Sequence, residues 1–273
     1  TLLIEAERAE RLVADPRIRA VSLTGSERAG SRVAAVAGEH LKKAVLELGG
    51  SDAFVVLDDA DLDQAASVAA KSRFMNAGQS CIAAKRFILV DAVADAFIER
   101  FRAAAEALAP GDPLDTDTTL APLARRDIRD TLHEQVEQSV HAGARLLCGG
   151  EHLDRPGWFY APTLLDGVAP GMPAYEQELF GPVAAIIRAG DEADALRIAN
   201  DSRFGLGGSV WTADTARGEA FARRMACGAA FVNGLVKSDP RLPFGGIKTS
   251  GHGRELGALG IREFVNAKTL WIA

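Results

Sequence analysis

The sequence predicts an α/β fold, and three observations carry that expectation. Short apolar runs of strand character alternate with longer segments of helical period. Glycine pairs and an Asp-Pro cluster mark the joints between them. The 273 residues are 48% hydrophobic and 25% charged, which is ordinary for a globular chain with room for one or two domains.

The elements follow in order. The chain opens Thr1-Leu2-Leu3-Ile4-Glu5-Ala6-Glu7-Arg8, apparently within an amphipathic helix and without Met, which suits a cut chain or a fragment. Residues 18–23 read as a strand, Thr24-Gly25-Ser26 as a turn, and a helix runs on to about Gly38. Residues 44–48 form a strand broken by Gly49-Gly50, and residues 53–57 another. A helix over 62–76 carries Asp58, Asp59 and Asp61 near its N-terminus, where carboxylates favour the helix dipole. Residues 86–90 are an apolar strand. The next helix repeats Val93, Phe97, Phe101 and Leu108 at spacings of four and seven. Asp112-Pro113-Leu114-Asp115 is a polar turn, the helix 124–142 stops at Gly143, and strand 145–148 ends at Gly149-Gly150. Strands are expected at 183–187, 208–211 and 229–233, with helices at 193–199 and 215–225. The final 268–272 reads as a strand with exposed Leu270, Trp271 and Ile272, the kind of edge that pairs with something.

Composition excludes several function classes. The net charge is -6 with no clustered run of Lys and Arg, so neither nucleic acid nor an anionic membrane is an expected partner. No apolar stretch reaches the length of a membrane span and no leader precedes it, which points to the cytoplasm. Cys81, Cys148 and Cys227 are too few and too scattered for a disulfide framework. The five histidines show no metal-ligand spacing, so no metal is expected.

Five segments could carry chemistry. In Asn76-Ala77-Gly78-Gln79-Ser80-Cys81, followed by a helix-compatible stretch, the thiol sits at a turn. Backbone N–H groups there could lower its pKa and later bind an oxyanion; the alternative is a buried structural Cys. In Leu46-Glu47-Leu48-Gly49-Gly50, burial at a strand end would raise the carboxyl pKa and make a general base, unless Glu47 simply reaches water. Leu23-Thr24-Gly25-Ser26 before a helix could hold a phosphate or be a capping turn. Gln177-Glu178-Leu179-Phe180-Gly181-Pro182-Val183 sets a carboxylate and a ring two apart, suited to a ribose and a flat heterocycle, or forms an acidic loop. Residues 242–255 hold four glycines in nine residues and read as a long ordered loop.

Together and in this order the segments resemble the aldehyde dehydrogenase superfamily, from about residue 18 to the end. The 34-residue separation of Glu47 and Cys81 is similar to the family pattern. The resemblance implies the end of a Rossmann-like cofactor domain at 1–49, a catalytic domain at 50–264, and an oligomerisation strand at 265–273 pairing in a homodimer or homotetramer. It implies Cys81 as nucleophile and Glu47 as base. It places Thr24, Gly25, Ser26, Leu48, Glu178 and Phe180 at NAD or NADP, and Phe244 at the entrance for a small aldehyde. An oxyanion-holding Asn that the family keeps in its first half is not in this chain.

The run Ser80-Cys81-Ile82-Ala83-Ala84-Lys85-Arg86 resembles the succinate-semialdehyde dehydrogenase branch, with Ser238 as a candidate for the substrate carboxylate. Where some members of that branch carry an Arg, six before the Cys, this chain has Met75. Arg73 and Arg241 are substitutes, or else surface charges. Medium-chain or aromatic aldehydes are competing substrates. A truncated, non-oxidising binding or structural subunit is the competing class.

Overall fold

A computed structural model describes residues 3–273. In chain order its helices are α1 (Ala6–Ala14), α2 (Glu27–Glu39), α3 (Leu62–Phe74), α4 (Asp91–Glu106), α5 (Arg126–His141), α6 (Pro173–Glu176), α7 (Glu192–Asn200), α8 (Thr215–Ala222) and α9 (Gly257–Glu263). Its strands are β1 (Ala20–Thr24), β2 (Lys43–Glu47), β3 (Asp52–Val56), β4 (Ala84–Val90), β5 (Arg145–Cys148), β6 (Thr163–Asp166), β7 (Val183–Ala189), β8 (Gly207–Trp211), β9 (Ala229–Val232) and β10 (Gly251–His252). They divide between two compact units. One takes in the chain up to Gly49 together with Lys237–Ala273, and the other is Gly50–Val236.

The larger unit is built on a seven-stranded sheet of order β5-β6-β7-β4-β3-β8-β9. β5 runs antiparallel to β6, and every other pair is parallel. Strands buried on both faces must be apolar throughout. Side chains alternate between the two faces. Phe54, Val56, Phe87, Leu89, Ile186 and Trp211 pack on α3 and α4 through Ala65, Ala69, Phe97 and Phe101. Val55, Ile88, Ala185, Ile187 and Val210 pack on the other face with Leu132, Val136, Leu196, Ile198 and Phe221. The period-four apolar residues of α4 thus meet a stack of rings, with Phe101 5.7 Å from Phe97 and 4.6 Å from Phe87 between centroids.

The smaller unit holds a three-stranded sheet of order β1-β2-β10. β1, α2 and β2 make a parallel crossover, with Thr24 opposite Glu47. β10 adds antiparallel to β2, with Gly251 opposite Glu47. Ser26 caps α2 by accepting from the Ala29 N–H at 3.3 Å.

Several expectations are corrected. A domain over 50–264 is too long, because the segment after Val236 packs in the smaller unit. The cause is hydrogen bonding to β2: beyond the β10 ladder, Leu48 N–H donates to Ser250 O at 3.0 Å, and Lys43 pairs with Glu263 at 2.6 Å. Residues 242–255 are therefore not a plain loop but hold a 3₁₀ turn, Lys248–Ser250, and strand β10. Residues 268–272 form no strand, since a strand needs a partner edge and none pairs with them among the described residues; Leu270, Trp271 and Ile272 are exposed. Helix α1 starts at Ala6, and the expectation for Thr1 and Leu2 lies outside the described residues. The stretch after Cys81 is a turn leading into β4 rather than a helix. No helix among the described residues is long and apolar enough to cross a membrane.

Candidate active site

Sheet order decides what meets in the larger unit. β7, β4 and β3 are neighbours and parallel, so the segments entering them share one edge. Those segments carry Glu178, Cys81 and Gly50. Ligands of open parallel sheets usually sit at the carboxyl ends of the strands. Here the chemistry-bearing residues lie at the amino ends.

The backbone before Cys81 is held in an uncommon conformation. Asn76, Ala77 and Gly78 take φ of 55°, 53° and 73°. The first two lack glycine's freedom, a strain on the order of 1 kcal/mol each that surrounding contacts must hold. Asn76 Nδ2 donates to Gln79 O at 2.9 Å, and Gln79 Nε2 returns a bond to Asn76 O at 3.1 Å. Gln79 Oε1 accepts from Ala124 N–H at 2.8 Å. Gly78 is required twice, because a Cβ there would also stand 2.2 Å from Gly181 O. Arg73, wholly buried, donates from Nη2 to Gly78 O at 2.6 Å. It is not a surface charge, whereas Arg241 is exposed and paired with Asp239.

Cys81 is half-buried. Burial pushes its thiol above the ordinary value; Lys85 opposes the rise, while Asp52 and Glu178 add to it. The expectation that backbone N–H groups lower this pKa is thereby corrected: the Ile82 N–H does lower it, but loss of water outweighs that. Lys85 is fully buried beneath the turn. Its ammonium donates to Ser80 O and Cys81 O, each at 2.8 Å, and to Ala83 O at 3.3 Å. It also lies 3.3 Å from Glu178 Oε1. That same oxygen accepts from the Gly50 N–H at 3.0 Å. Gly50 must be glycine, since a Cβ would come within 2.4 Å of Cys81 O. Phe180 is half-buried two residues on from Glu178.

The smaller unit holds the other candidates. Glu47 ends β2, and its backbone O accepts from Gly25 N–H at 2.9 Å. Its side chain is buried, and neither carboxylate oxygen has a hydrogen-bond partner among the described residues. Its pKa is raised to about 7, by burial first and by Glu255 second, with Arg254 acting against the rise. Leu48 is buried over Gly30 of α2, where a Cβ would reach 2.5 Å from Leu48 Cδ2. Thr24, Gly25 and Ser26 are exposed at the positive end of α2. Phe244 is half-buried and exchanges backbone hydrogen bonds with Glu255, both at 2.7 Å. Ser238 is exposed in an irregular segment.

The structure thus gathers Thr24, Gly25, Ser26, Glu47 and Leu48 in one unit, and Cys81 and Glu178 in the other. Sequence reasoning missed Lys85, Asp52 and Arg254. Two adjacent cations opening an apolar strand, Lys85 and Arg86, were the available signal, because charge on a buried strand needs a reason. No group of three or more potential metal ligands occurs among the described residues.

The profile of the aldehyde dehydrogenase family matches residues 2–270. A Synechocystis protein named as a probable succinate-semialdehyde dehydrogenase using NADP+ is 54% identical over the whole chain, which covers 60% of that protein. A succinate-semialdehyde dehydrogenase using NADP+ from Mycolicibacterium paratuberculosis is 51% identical over 272 residues and covered to 58%. The crystal structure of succinic semialdehyde dehydrogenase from Streptococcus pyogenes with NADP+ superposes with a TM-score of 0.97 at 44% identity, covering 99% of this chain and 60% of that one. The chain therefore spans about three-fifths of the length of these relatives.

Glu47 makes a signed prediction. Its carboxyl titrates near 7 in the folded chain, above its unfolded value. Its stabilising contribution is complete below the unfolded value and is lost as pH rises through about 7. Glu47→Gln is expected to match the parent at about pH 4 and to exceed its stability at about pH 8 by on the order of 3 kcal/mol. Urea unfolding at both pH values measures this; a parent at least as stable as the variant at the higher pH would contradict it.

Proposed function

The chain belongs to the aldehyde dehydrogenase family, and on that premise we propose that it oxidises an aldehyde to a carboxylic acid, with Cys81 as nucleophile and Glu47 as base. The observation that carries this reading is the Glu47 carboxylate, buried with no hydrogen-bond partner for either oxygen among the described residues and held near neutrality. Structural carboxylates are paired; one left unpaired near pH 7 is suited to taking a proton.

Cys81 attacks the carbonyl carbon through its thiolate and forms a thiohemiacetal. NAD or NADP, when bound, supplies the hydride acceptor, and the relatives' names favour NADP. The residues present suit such a cofactor: the exposed Thr24-Gly25-Ser26 turn caps a helix N-terminus, a place for phosphate. Glu178 meets the Gly50 N–H and the Lys85 ammonium through Oε1, leaving Oε2 for a ribose hydroxyl. Loss of hydride leaves a thioester on Cys81. Glu47 then takes a proton from water, the hydroxide adds to the thioester carbon, and the C–S bond breaks to give the acid and the thiolate.

The substrate we propose is succinic semialdehyde, on the strength of the two relatives named above, with Ser238 and Phe244 on the substrate side. Its kcat/KM is expected to exceed those of hexanal and benzaldehyde by about 10-fold or more, and Cys81→Ala should lose about 10³-fold or more. Steady-state NADPH formation tests both; equal use of the three aldehydes would contradict the substrate, and activity surviving Cys81→Ala would contradict the nucleophile.

The exposed Leu270, Trp271 and Ile272 are proposed to lie against a second copy of the chain in a homodimer or homotetramer. Trp271→Asp is expected to shift the sedimentation coefficient toward the monomer; assembly identical to the parent would contradict this.

A further inference from the structure

We propose that Lys85 is a positioning residue for the nucleophile: anchored by Glu178, its ammonium fixes the carbonyls of the Cys81 turn and sets positive charge within that turn. The inference rests on reading Cys81 as the nucleophile.

A lysine ammonium has three N–H donors and no acceptor. At Lys85 they meet three turn carbonyls, of Ser80, Cys81 and Ala83, and one carboxylate oxygen, on Glu178. The side chain is fully buried, so these groups replace its water. Three carbonyls on one cation hold three peptide planes of one turn, the Cys81 plane among them. The turn is also held by Arg73 through Gly78 O and by the amide exchange between Asn76 and Gln79. Lys85 bonds the carbonyl of Cys81 itself, which neither of those does.

The electrostatic setting is mixed. Lys85 acts on the Cys81 thiol in the direction of ionisation, and Asp52 and Glu178 act against it. Burial lowers the Lys85 pKa; Glu178, Asp52 and Cys81 raise it, and Arg73 lowers it. Glu178 is the carboxylate closest in this balance, because it touches the ammonium and ties it to the Gly50 N–H. One carboxylate thereby serves two tasks. Oε1 holds the ammonium that orders the nucleophile, and Oε2 is left for the cofactor side.

The test follows alkylation of Cys81 by iodoacetamide across pH, read peptide by peptide with Cys148 as the internal control. Lys85→Met keeps the volume and removes both charge and donors. Lys85→Gln keeps an N–H donor and removes the charge, and serves if the first variant does not fold by circular dichroism. Either variant is expected to move the Cys81 curve to higher pH, with the rate at about pH 7 falling roughly 10-fold, while the Cys148 curve stays in place. A merely structural role would leave the pH dependence of a folded variant unmoved, and superimposable Cys81 curves would overturn the inference. Aldehyde oxidation surviving Cys81→Ala is a separate result, which would overturn the reading of the nucleophile on which the inference stands.

Discussion

A cation removed from water must be surrounded by acceptors or opposite charge, and at Lys85 that requirement organises the larger unit's site. Four oxygens from two distant stretches of chain converge on one ammonium. Breaking one partner would leave a buried charge uncompensated, so the turn, the carboxylate and the lysine are constrained as a set. The sheet makes the set possible. Because β4 lies between β7 and β3, Glu178 reaches both Lys85 and, across 128 residues of sequence, the Gly50 N–H. The strain at Asn76 and Ala77 persists on the same footing, since the contacts around it are stronger than the preference it opposes.

The smaller unit applies the opposite rule to a carboxylate. Glu47 is buried with no hydrogen-bond donor on its carboxylate among the described residues, so its charged form is penalised and its proton is held toward neutral pH. Its backbone, by contrast, is well tied, between Gly25 on one side and the β10 ladder on the other. A fixed main chain with an unsatisfied head group favours proton transfer over structural pairing. Arg254 lies close enough to moderate the shift, while its guanidinium donates to Gly246 O and Gly253 O.

Much of the fold was legible because strands buried on both faces leave long apolar runs, as in Ala53 to Leu57 and Arg86 to Val90, and because α4 repeats its phenylalanines at helical spacing. What escaped depends on pairing rather than pattern. Strand β10 is two residues long and rich in glycine, so nothing local distinguishes it from a loop. The 268–272 run has strand character but pairs with no edge among the described residues. In the site, the turn at Cys81 followed from neighbouring residue types, which left Glu47 between burial and water. The rise of the Cys81 pKa, the burial of Arg73 and the role of Lys85 did not. Each depends on how many atoms crowd around a group, which spacing along the chain does not report.

The proposed reaction requires Cys81 to carry the acyl group and Glu47 to release it. Removing the base while keeping the nucleophile separates the two steps. Mixing Glu47→Gln protein with succinic semialdehyde and NADP+, quenching in acid and mapping peptides by mass spectrometry measures the state between them. The predicted result is a succinyl thioester on Cys81 that accumulates in the variant and is absent from the parent after turnover. Formation of NADPH and succinate at parental rates, with no acyl group on Cys81 at any time, would contradict it.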